Sequence, residues 1–86
     1  MHIDANFSEE IIKKYLKATY GIESKFTSDV GNKKLTHFNF TIVDKMLIAD
    51  LTESFKRCGL NIKLFNSEGI SIPIHYCLVD AKDFKN

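Results

Sequence analysis

The stretch from Val43 to Leu60 constrains this chain more than any other. Leu47, Ile48, Leu51, Phe55 and Cys58 recur at helical spacing and make one apolar stripe. Lys45, Asp50, Glu53, Lys56 and Arg57 fall on the opposite side. Asp44 is placed to cap this helix, its carboxylate accepting from the free N–H groups of the first turn. Val43 and Ile48 then stand at the two ends of a hydrophobic staple. Lys56 and Arg57 lie in the last turn, where the helix dipole favours cations. Gly59 supplies a left-handed residue to end the helix, and Leu60 folds back on Phe55. Apolar alternation flanks the helix, Leu35 to Val43 before it and Leu60 to Phe65 after it. The spacing predicts a βαβ unit with a right-handed crossover.

The rest of the chain follows similar rules. Ile3, Ala5 and Phe7 alternate with His2, Asp4 and Asn6, which predicts a short strand. Ser8 caps a helix that opens with Glu9 and Glu10 and buries Ile12, Tyr15, Leu16 and Thr19, with Phe7 and Ile12 as its staple. Gly21 ends it. Residues 22–30 alternate, with Ile22, Ser24, Phe26, Ser28 and Val30 on one face. Gly31-Asn32-Lys33 reads as a hairpin turn, and the return strand points Thr36, Phe38, Phe40 and Ile42 inward. Asn66-Ser67-Glu68-Gly69 is a second turn. Ile70, Ile72, Ile74, Tyr76 and Leu78 then line one side of a long strand, and Pro73, which has no N–H for a ladder, assigns it to a sheet edge. Residues 80–86 form a polar tail around Phe84, either one helical turn or a frayed end.

The resulting order, β-α-β-β-α-β plus a C-terminal edge strand, resembles the ferredoxin-like two-layer sandwich. Two helices would cover one face of an antiparallel sheet. The rival order is α-β-β-α-β-β, with residues 2–7 as a lead-in. With 86 residues, 44% of them hydrophobic, the chain reads as a single domain, 1–86, able to build one modest core.

A formal net charge of +1 gives no field aimed at nucleic acid or membrane. No apolar run approaches membrane-spanning length, and the first residues carry no basic-then-apolar leader pattern. Two cysteines without a framework point to a reducing, cytoplasmic setting. Lys, Ile, Asn and Phe are abundant, and Arg57 is the single arginine. That bias matches AT-rich coding, as in a low-GC bacterium or a bacteriophage, and it discounts the lysines as a nucleic-acid signal.

No catalytic grouping emerges. His2, His37 and His75 fall on outward strand positions, and His75 with Cys77 does not follow a zinc-ligand spacing. Cys58 lies on the apolar stripe, where a thiol is inert. Acylphosphatases have this size and element order. They need a glycine-rich loop with an arginine after the first strand, and Asn6-Phe7-Ser8 stands there instead. No cofactor is expected.

The sequence therefore points to a non-enzymatic binding protein, a regulator or inhibitor of a protein partner. Phage or mobile-element proteins acting on a host factor fit this description. The expected partner or dimer interface is Ile70, Ile72, Ile74 and Tyr76, a row too apolar for two short helices to cover. The alternative is an RNA-binding protein using the open sheet face, with Lys13, Lys14, Lys17, Lys33 and Lys34 on phosphates.

Overall fold

The structure is a computed structural model and describes residues 1–28, 39–81 and 83–84. Its elements run β1 (His2–Asp4), α1 (Glu9–Tyr20), β2 (Glu23–Ser28), β3 (Asn39–Thr41), α2 (Ile48–Lys56), β4 (Leu60–Phe65) and α3 (Leu78–Ala81). The expected hairpin turn at Gly31-Asn32-Lys33, and residues Val30, Thr36 and Phe38, lie outside the described residues. The chain is a small α+β domain.

The single sheet expected from the sequence is replaced by two antiparallel pairs. β1 lies on β3 with Ile3 opposite Phe40, and β2 lies on β4 with Phe26 opposite Ile62. β3 and β4 thus belong to different sheets, and α2 does not connect parallel neighbours. Among the described residues the predicted βαβ crossover is not seen, because β3 takes β1 as its partner, a pairing that side-chain alternation does not encode.

α1 matches its reading closely. The Ser8 hydroxyl accepts from Ile11 N–H, Glu9 and Glu10 fill the first turn, and Gly21 adopts φ 68°. Its N–H reaches the Lys17 carbonyl at 3.0 Å, the left-handed helix stop. The buried stripe is Ile12, Leu16 and Tyr20; Thr19 is exposed and Tyr15 half-buried. Gly59 also has the expected positive φ, 81°.

Phe55 is fully buried at the centre of the core. Its ring meets Phe26 of β2 and Phe40 of β3, each at 5.2 Å and nearly perpendicular, and Phe7 at 5.6 Å. One side chain of α2 therefore joins both sheets through edge-on aromatic contacts. Ile48, Leu51 and Cys58 are buried beside it, as the apolar stripe requires, whereas Leu47, which precedes the helix, is exposed.

The start of α2 and the segment after Asn66 differ from expectation. α2 begins at Ile48, and Asp44 lies in a turn. Val43 is exposed, so it forms no staple. At the second turn the Asn66 side-chain oxygen accepts from Glu68 and Ile70 N–H, both at 2.9 Å. Only a short stretch then pairs with β4: Phe65 faces Ser71, and Ile72 N–H donates to the Leu64 carbonyl at 3.0 Å. Pro73 cannot continue that ladder, and the chain turns away. The predicted long edge strand over 70–78 is instead a bridge, a turn and the helical turn α3. Phe84 packs on the Tyr76 ring at 5.3 Å. No helix among the described residues is long and apolar enough to cross a membrane.

Candidate functional site

A helix N-terminus leaves its first N–H groups without intrahelical acceptors. At α2 the residue before the helix is Leu47, which makes no side-chain cap. Main-chain carbonyls of the late segment take that role. Ile48 N–H donates to the Tyr76 carbonyl at 2.9 Å and Ala49 N–H to the Ile74 carbonyl at 3.0 Å. The arrangement is reciprocal: Leu78 N–H donates to the Met46 carbonyl at 2.9 Å and Val79 N–H to the Asp44 carbonyl at 3.0 Å.

Each turn closes in the same way, Met46 N–H on Val43 and Tyr76 N–H on Pro73, and Leu47 faces Cys77 in an antiparallel bridge. Two turn-and-helix segments are interlocked about an approximate two-fold axis. Side-chain alternation does not reveal this pairing, although the sequence carries a signal of it. Thr41-Ile42 precedes Ile48-Ala49-Asp50 at the same spacing as Ser71-Ile72 precedes Leu78-Val79-Asp80.

The Asp44 carboxylate, released from capping, accepts from the Tyr20 hydroxyl at 2.7 Å. Burial first, and this hydrogen bond second, push the Tyr20 phenol well above its ordinary range.

The interlock decides what is exposed. Ile72 is only 5% exposed and belongs to the core, whereas Ile74 is 64% exposed. Ile70 and Tyr76 are half-buried. Of the four interface residues expected from alternation, Ile74 alone is fully presented, because the turn rotates it away from the face that buries Ile72. It borders an open groove of about 310 Å³ between α2 and β4, lined also by Ala49, Thr52, Glu53, Lys56, Asn61 and Ile62. Val43, Leu47 and Val79 are exposed as well. They lie on the interlock itself, so the large exposed apolar side chains of the described residues gather here, with Ile11 the exception.

A second hollow, about 350 Å³, is lined by His75, Tyr76, Cys77 and Asp80. The turn, not a strand, brings these residues together. No group of three metal-ligating side chains is found among the described residues.

The lysines of the expected set that the structure describes all lie on α1. Lys13 is half-buried, Lys14 exposed, and Lys17 pairs with Glu23 at 3.0 Å. Lys33 and Lys34, with His37, lie outside the described residues. A different pair stands out: Lys25 of β2 and Lys63 of β4 are in direct register, both exposed. Comparison with family models, with curated proteins and with solved structures finds no match to this chain.

Proposed function

We propose that this chain is a small, non-enzymatic cytoplasmic binding protein that regulates or inhibits a protein partner, docking through the face around Ile74. One observation carries the reading. Ile74 holds the N-terminus of α2 with its carbonyl while its side chain stays 64% exposed beside an open groove. An apolar side chain on a fixed main chain is an interaction anchor that loses little entropy on binding. The AT-rich composition supports a phage or mobile-element accessory protein acting on a host factor.

The test is capture from a lysate of the source organism with wild type, Ile74→Asp and Lys14→Ala as baits, after nuclease treatment. A protein held by wild type and Lys14→Ala, and lost about tenfold or more with Ile74→Asp, is the expected result. Equal recovery by all three baits contradicts it. Because Ile74 is exposed, the Asp variant keeps its fold, which a urea melt checks.

A second reading, RNA binding, is supported by the register of Lys25 and Lys63, with Thr27 and Asn61 on the same exposed face. Without the nuclease step it expects nucleic acid on the bait, released at high salt.

A further inference from the structure

We propose that the groove beside Ile74 takes an extended peptide segment of the partner, added as a strand to the free edge of β4. This rests on the protein-binding reading above. The direction of the main-chain groups on β4 is fixed by one bond. The Leu64 carbonyl accepts from Ile72, so it points away from β2. In an antiparallel strand both polar groups of one residue point the same way, and residues two apart agree. The N–H and C=O of Ile62 and Leu60 therefore also point away from β2, toward the side that Ser71 and Ile72 begin to cover.

That cover stops at Pro73. Beyond it, the carbonyls of Ile74 and Tyr76 go to α2. No described strand or bridge pairs with β4 beyond Phe65 and Ser71 on that side. The groove opens at this place, with Asn61 and Ile62 on one wall and α2 on the other. A main-chain donor and acceptor at a sheet edge are matched by an extended backbone, the chemistry of strand addition. Ala49 and Ile74 offer an apolar end for one side chain of the added strand. Glu53 and Lys56, three residues apart on α2, offer both charges to another. A second copy of this chain fits less well, since its β4 edge is flanked by the same helix and the same Ile74 and cannot enter a recess made by them. A single extended segment can.

The experiment is selection of a random displayed peptide library on the full chain, with counter-selection on Ile74→Asp. The best peptide is then N-methylated at each amide in turn, and exchange of the Ile62 amide is followed by NMR. Strand addition expects N-methylation to weaken binding about tenfold at every second position. It also expects the bound peptide to slow exchange at Ile62 about tenfold or more. Sensitivity at every interior position, as in a helix whose N–H groups are all bonded within the peptide, overturns it in favour of a helix. An Ile62 amide unmoved at saturation also overturns it, as does a library yielding no peptide that Ile74→Asp rejects. An Ile62 amide already protected in a chain that sediments as a dimer assigns the edge to a second copy, which overturns it too. None of these outcomes touches the lysate capture, which decides the protein-binding reading independently.

Discussion

Asp44 shows how one carboxylate can serve a contact that its sequence neighbours do not suggest. Its carbonyl caps α3 and its side chain accepts from the buried Tyr20 hydroxyl. Tyr20→Phe is expected to cost about 1.5–3 kcal/mol, the value of a hydrogen bond to a charged acceptor. The phenol's folded pKa lies above its ordinary value of 10.0. Its contribution is therefore complete below pH about 10 and is lost as pH rises beyond that, when the unfolded chain ionises and the folded chain resists. Urea melts at neutral pH and at pH about 11 should show a smaller alkaline loss for Tyr20→Phe than for wild type. Equal losses would mean that Tyr20 is not held neutral. Lys25 and Lys63 make the opposite case, like charges directly across a ladder. Lys63→Glu should stabilise by about 0.5 kcal/mol, with the gain shrinking in salt. A lower urea midpoint would contradict the register.

At the scale of elements, α2 is the part whose packing the sequence states most directly. Phe55→Ala removes the ring that touches Phe7, Phe26 and Phe40. A cost of about 3–5 kcal/mol is expected in urea melts, and a near-neutral effect would mean that the two sheets do not meet through this helix. The elements that were legible carry local signals. Ser8, Glu9 and Gly21 mark both ends of α1 within a turn of the helix itself, and the alternation of Leu60, Ile62 and Leu64 marks β4. The start of α2 was illegible because its caps are carbonyls of Ile74 and Tyr76, and a carbonyl leaves no mark in the side-chain pattern. Residues 70–78 misled for a related reason. Ile70, Ile72, Ile74 and Tyr76 alternate as a strand would, yet Pro73 and the bonds to α2 turn the chain after Ile72. Three of the four expected interface residues therefore prove to be core or half-buried, and Ile74 alone is presented.

For the whole molecule, the two-sheet arrangement, the interlocked turns and the open β4 edge are one consequence of where residues 73–79 go. If they leave β4 to cap α2, Ile74 and the edge are available to a partner. If they continue along β4, the groove is closed by the chain's own strand. Native-state amide exchange of the free protein separates these directly. Ile48, Ala49, Leu78 and Val79 are expected to be protected together, since their N–H groups form the reciprocal caps. Along β4, Asn61 and Lys63, which face β2, are expected to be protected while Ile62 exchanges about tenfold or more faster. Protection of Ile62 equal to that of its neighbours, with rapid exchange at Leu78 and Val79, would place the late segment on β4 as an edge strand and contradict the account.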